Sequence, residues 1–360
     1  MLLRRFEWDV AWRAGCCGGV ALMLAASGCG GSDSGSPIAP PPSVRPQIFV
    51  GSATFNKGSN ADTYALNVFA AGASGNAAPI VSRTYPQVLR PFSPDASGAY
   101  WLVDFATNDN QATQPCAYPS GVSHYDALGH NLAKVLVKPC QTATAATVGN
   151  NGNLFVANGG DVIQNELEVL PCSLQDSTAE IDEYGATAMG QASALKTINV
   201  PSTYGICEAP SIATDSRGNI WLGEREFTAA SNTGFPAPTV DKVIEFAATA
   251  SGMANPIRTI ALPAQTTVGD IATDASDNLY LLENTTLYRA PAGGGPPTPI
   301  LSGVSVNHFA IGDGGHIIAE VPVGSQVSLE EFVPGNRQAN RVISGTATQL
   351  NLGGPLAVLP

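Results

Sequence analysis

Four residues suited to a hard cation recur at one kind of position. Glu208, Asp270, Asn307 and His308 each stand close before a short apolar, β-prone run. Carboxylate and amide oxygens with one imidazole can hold a divalent ion such as calcium. The same side chains could equally form a hydrated channel mouth with no chemistry of its own. A second polar series closes the next apolar run of each repeat: Ser52, Asp104, Asn158, Glu224 and Glu283, with Glu320 one place early. Such residues would make a cation- or sugar-facing binding rim, or simply cap strands and keep that surface soluble. Only four histidines are present, His124, His130, His308 and His316. There is no G-x-S-x-G, no H-E-x-x-H and no phosphate-binding glycine loop, so no complete catalytic motif is legible.

What must position these residues is a repeated unit. Ile212–Thr214 is apolar and β-prone, Asp215–Asn219 is a turn with Gly218 where a positive φ is easiest, and Ile220–Leu222 is a second strand. Val243–Phe246 and Ile257–Leu262 follow as a third and fourth, joined by the small residues Ala248–Pro256. Ile271–Tyr280 repeats the first half with Asp277 in the glycine place, as do Phe92–Trp101 and Val148–Phe155; Phe309–Ile318 does so with Asp313 one place late. The second half recurs too: Phe69, Gly75 and Ile80 have the spacing of Tyr184, Gly190 and Leu195, and of Phe246, Gly252 and Ile257. A four-stranded meander cannot bury both faces alone, so recurrence implies stacking.

Composition agrees with an all-β chain. Of 360 residues, 44% are hydrophobic and 13% charged, and 38 Gly with 27 Pro suit many short strands and turns. A net charge of −12 argues against a nucleic-acid or anionic-membrane surface.

The chain begins as an export signal would. Arg4, Arg5 and Arg13 precede the small apolar run Ala14–Ala26, and Ala26-Ser27-Gly28-Cys29 resembles a bacterial lipobox. That resemblance implies a signal peptide over residues 1–28, cleavage before Cys29 and a lipid (palmitate among its acyl chains) on that cysteine. Gly30–Pro46, rich in Gly, Ser and Pro, reads as a flexible tether, placing the folded domain at 47–360. Glycine after the cysteine, where aspartate resembles an inner-membrane retention mark, favours the outer membrane of a two-membrane cell envelope.

The two ends of the folded domain are complementary. Ile48–Val50 looks like a second strand lacking a first, and Pro355–Leu359 like a first strand with nothing after it. Joined, they complete one shared unit and leave no open sheet edge. The count is then six. Units such as "EFAATASGMANPIRTI" and "IATDSRGNIWLGE" resemble the NHL-type six-bladed β-propeller, particularly its exported bacterial versions, over nearly all of Gln47–Pro360. The resemblance implies a ring of four-stranded antiparallel blades in which the glycines, Trp101, Trp221 and Tyr280 serve packing. Streptogramin lyases and gluconolactonases share that general fold. The first imply a proton-transferring histidine at the central mouth, where His308 alone qualifies. The second imply a cation held by Glu, Asn and Asp at strand lead-ins.

Cys116, Cys140, Cys172 and Cys207 remain for the exported domain. Spacing alone allows three pairings. In the meander, Cys116 follows a second strand and Cys140 the fourth of one repeat, with Cys172 and Cys207 in the same places of the next. Those loops emerge on one face, which predicts the disulfides Cys116–Cys140 and Cys172–Cys207. Two functions follow as expectations. One is a non-catalytic, membrane-tethered binding module for a protein, glycan or small ligand. The other is a metal-dependent hydrolase or lyase at the central mouth. The thin histidine supply favours binding, and the long loops 106–120, 159–178 and 225–240 offer a place for it.

Overall fold

The computed structural model describes residues 47–54, 63–85, 89, 92–95, 97–104, 120–138, 142–159, 179–201, 208–225, 242–262, 268–301 and 303–359. These belong to one compact unit, Val44–Pro360. Its strands form six blades, each a simple meander of four antiparallel strands, and the sheet of blade 3 gains a fifth, two-residue parallel strand from blade 4. Blade 1 joins Leu352–Leu359 to Gln47–Thr54, Thr63–Ala70 and Val81–Tyr85. Blade 2 holds Ser93–Pro94, Tyr100–Asp104, Gly121–Tyr125 and Asn131–Leu136, and blade 3 holds Thr142–Val148, Leu154–Gly159, Glu180–Tyr184 and Lys196–Asn199. Blade 4 runs Glu208–Thr214, Ile220–Arg225, Lys242–Phe246 and Arg258–Ala261. Blade 5 runs Val268–Thr273, Leu279–Glu283, Thr286–Ala290 and Thr298–Pro299; blade 6 runs His308–Ile311, Ile317–Val323, Gln326–Phe332 and Arg341–Ile343. Each first strand touches the first strands of both neighbouring blades, and the series closes on itself.

Burial explains why six meanders hold together. The buried apolar residues fall into six clusters, one at each junction between blades. Trp221 joins blades 4 and 5, Tyr280 joins 5 and 6, and Trp101 joins 2 and 3, where it stacks on His124 with ring centroids 4.2 Å apart. Each blade thus buries one face against its predecessor and the other against its successor, the solution a single meander lacks.

The ring is closed as the chain ends predict. Leu352–Leu359 pairs antiparallel with Gln47–Thr54, with Ile48 opposite Val358 and Val50 opposite Leu356. The register shifts between Val50 and Ser52. There the two backbones approach so closely that a Cβ on Gly51 would lie 2.8 Å from Pro355 Cδ.

The turns between first and second strands follow the repeated Asp. Asp215 Oδ1 accepts the N–H groups of Arg217 and Asn219 at 3.0 and 2.8 Å, and Asp274 Oδ1 accepts those of Ser276 and Asn278 at 2.9 and 3.0 Å. A side-chain oxygen bonding its own backbone two residues on is what makes Asp a turn former. Gly98, Gly152 and Gly218 sit at φ 78–81°, and Asp277 takes the same left-handed place at φ 60°.

The second repeated glycine has a different task. Between third and fourth strands, Gly75, Gly190 and Gly252 lie at φ 60°, 62° and 61°. Each docks in parallel register onto the outermost strand of the preceding blade: Gly75 opposite Ile343, Gly190 opposite Val135 and Gly252 opposite Ile198. Gly190 N–H donates to Lys134 O at 2.6 Å and its carbonyl accepts Leu136 N–H at 2.9 Å. The Ala248–Pro256 connection therefore contains a short extra strand, Gly252–Met253, that clips blade 4 to blade 3. At two other junctions an arginine does the clipping. Arg83 donates to Leu128 O at 2.9 Å, and Arg258 to Pro291 O at 3.2 Å.

Candidate functional site

The first strands of all six blades surround a central cavity of about 520 Å³. Its wall mixes apolar and small polar residues, among them Pro94, Thr147, Ile212, Thr273, Phe309 and Leu356. Asp270 lies in this wall where the first strand of blade 5 begins.

A polar cluster is built around that point. His308 Nδ1 and Asp270 Oδ2 are 2.9 Å apart, and Asp270 Oδ2 also accepts Phe309 N–H at 3.3 Å. Glu320, on the second strand of blade 6, is fully buried opposite His308 in the sheet. Its Oε1 accepts Asn307 Nδ2 at 3.2 Å and its Oε2 accepts Gly354 N–H at 3.1 Å. Three blades meet here, because Gly354 belongs to the strand that closes the ring.

The electrostatics follow from that crowding. Burial opposes a charge on His308, but the adjacent Asp270 carboxylate, with help from Glu320, outweighs it and pushes the imidazole pKa up to about 9. The cluster therefore favours the imidazolium form of His308. Burial raises the Glu320 pKa, opposed by the nearby His308 charge and by the hydrogen bonds from Gly354 and Asn307.

Asp270, Asn307 and His308, three of the four expected cation ligands, are thus brought together, around Glu320. The strand of Glu208 begins blade 4 as expected, but its side chain lies outside the described part. Among the described residues, no group of three or more His, Cys, Asp and Glu is arranged to hold a metal ion. Cys29, Cys116, Cys140, Cys172 and Cys207, and the long loops over residues 106–119, 160–178 and 226–240, also lie outside it.

The second polar series is not a solvent-facing rim: Ser52, Asn158, Glu224, Glu283 and Glu320 are all buried. Each second strand has a neighbour on both sides, so its end is interior, unlike the end of a fourth strand. Asn158 Nδ2 donates to the buried Asp182 at 2.9 Å, and Thr197 donates to the other Asp182 oxygen at 2.5 Å. Asp104 closes its strand as expected, with its side chain outside the described part. Sequence reasoning missed Asp182 and the role of Gly353-Gly354-Pro355; the run of small residues before the closing strand was the available signal.

A second cavity of about 450 Å³ opens between blades 5 and 6, lined by Asn278, Arg289, Leu301, Pro334 and Asn336. It lies where the turn of blade 6 comes over blade 5.

Fold and site together define a six-bladed β-propeller with a polar cluster at one side of its channel. No protein-family model matches the chain, and no curated protein matches it in sequence. Solved structures do resemble it. One is a protein of unknown function from Bacteroides caccae, 10% identical with a TM-score of 0.56 over 87% of this chain and 98% of that one. Another, of unknown function from Bacteroides thetaiotaomicron, is 8% identical with a TM-score of 0.49 over 87% and 85%. A third is the calcium-binding protein regucalcin from Agrobacterium tumefaciens, 12% identical with a TM-score of 0.42 over 71% and 74%. At such identities the first likeness concerns the fold alone, and the other two are more distant still.

Proposed function

We propose that this propeller is a non-catalytic binding module of the bacterial cell envelope, tethered through Cys29, whose channel takes a small ligand or a partner's side chain. One observation carries the reading: the polar cluster that reaches the channel wall through Asp270 is engaged within itself. His308 pairs with Asp270, whose carboxylate favours the imidazolium, and Glu320 holds Asn307 and Gly354. An imidazolium cannot act as a general base, and it repels a cation. The cavity beside this cluster is lined mostly by apolar and small polar residues, with the carboxylates of Asp270, Asp274 and Asp313 among them, a surface suited to holding a ligand.

The alternative, a metal-dependent hydrolase or lyase, draws support from the meeting of Asp270, Asn307 and His308. A cation there would have to displace the imidazolium proton. Purified full-length protein separates the two readings by elemental analysis and by melting with added calcium or with chelator. Binding without metal predicts no stoichiometric divalent ion and an unchanged melting temperature. Stoichiometric calcium, lost together with stability when His308 or Asp270 is replaced, would favour the enzyme.

A further inference from the structure

The exposed apolar side chains are not scattered. Nine large ones stand exposed among the described residues, and seven of them lie at one side of blades 1–4. Ile80, Leu195 and Ile257 occupy the same position in three repeats, immediately before the fourth strand, and are 57%, 66% and 59% exposed. Leu128, Met189 and Met253 stand in the turns beside them. Single exposed apolar residues are ordinary, but one register repeated in blades 1, 3 and 4, with Leu128 and Leu132 on blade 2 between them, makes a band.

The strand order fixes which face this is. The turns between first and second strands and those between third and fourth strands emerge on the same face. Gln47 begins a second strand, so the chain preceding it leaves from that face as well. Between Cys29 and Gln47 the sequence has room to reach about 60 Å at full extension. A lipid on Cys29 and the apolar band can therefore reach the same bilayer, since the tether starts from the face that carries the band.

We propose that the apolar band on blades 1–4 rests on the lipid surface, an inference that builds on the anchoring of Cys29. Shallow insertion of Ile, Leu and Met side chains adds apolar burial to the lipid on Cys29 and orients the ring on the bilayer. The net charge of −12 gives no attraction to anionic headgroups, so the contact is apolar and suits zwitterionic lipid.

The test uses the full chain carrying Cys29→Ala, so that the anchor contributes nothing. Flotation with excess phosphatidylcholine–phosphatidylethanolamine vesicles should recover a bound fraction. The triple variant Ile80→Ser, Leu195→Ser, Ile257→Ser should lose it by about tenfold. Val323→Ser, on the opposite face of blade 6, should change nothing. All four positions are exposed, and unchanged melting temperatures would show the ring intact. Equal flotation of parent and triple variant, or none by either, overturns the proposal. So does a parent that elutes as a dimer which the triple variant disrupts, since the band would then face a second copy. The anchor is judged separately, by the intact mass of the Cys29 chain, so its failure cannot be confused with this one.

Discussion

Glu320 of blade 6 and Gly353 of the closing strand are so close that a Cβ on the glycine would sit 1.6 Å from Glu320 Oε1. No side chain fits there unless the carboxylate moves, and moving it strips the acceptor from Gly354 N–H. Gly353→Ala should therefore cost about 3 kcal/mol, combining overpacking with a lost charge-assisted hydrogen bond. In a Glu320→Ala background the same substitution should cost far less. A double-mutant cycle by urea unfolding checks this, and additive costs would refute the link.

His308 makes stability depend on pH. Its pKa is about 9 in the fold against 6.5 for the free side chain, so its contribution is full below pH 6.5 and is lost as pH rises through 9. A shift of that size corresponds to about 3 kcal/mol, reduced to about 2 kcal/mol by the solvent reaching a partly exposed side chain. Glu320, whose pKa is also raised, acts in the same direction. Denaturant unfolding should show a steady loss between pH 6.5 and 9.5, and His308→Gln should flatten that slope. An unchanged slope in the variant would break the assignment.

The clip glycines predict a position-specific penalty. Gly190 and Gly252 sit at φ 62° and 61°, with nothing within 4 Å of an added Cβ. The penalty for Ala at either place is therefore backbone strain alone, about 1 kcal/mol, and for Val more. Gly72, equally open but not left-handed, should tolerate Ala without loss. Melting temperatures of the three alanine variants decide the matter.

Asp277 tests why one repeat departs from glycine. Its carboxylate accepts Ser216 N–H at 2.7 Å and lies 3.4 Å from Arg217 Nε, both on the turn of blade 4. Asp277→Gly relieves about 1 kcal/mol of left-handed strain but removes a charge-assisted bond worth about 1.5–3 kcal/mol. The net expectation is a loss of roughly 1 kcal/mol, reduced at high salt. A gain in stability would mean that the contact between turns contributes little.

The part of this molecule legible in its sequence is the part written locally. Asp215, Asp274 and Asp95 announce their turns because each bonds its own next few residues. The closing strand was readable because Leu356–Leu359 and Ile48–Val50 each lack a partner that the repeat supplies elsewhere. The tasks of Gly75, Gly190 and Gly252 were not readable, since their partners lie on another blade and carry no matching signal. The same holds for the site. Asp270, Asn307 and His308 stood out by position, but their gathering around Glu320 depends on how three blades pack. Burial of Asn158 and Glu224 runs against residue type, and only the sheet order accounts for it.

Closure by strands from opposite ends of the domain also sets an order of events during synthesis. Gln47–Thr54 is the first strand of the ring to be made, yet its partner, Leu352–Leu359, follows about 300 residues later, a delay of tens of seconds at usual translation rates. Throughout that interval the edge of Ile48-Phe49-Val50 has no strand to pair with. An unpaired apolar edge of this kind can pair with the same edge of a neighbouring nascent chain. The strand that completes the ring is thus also the one that ends this exposure.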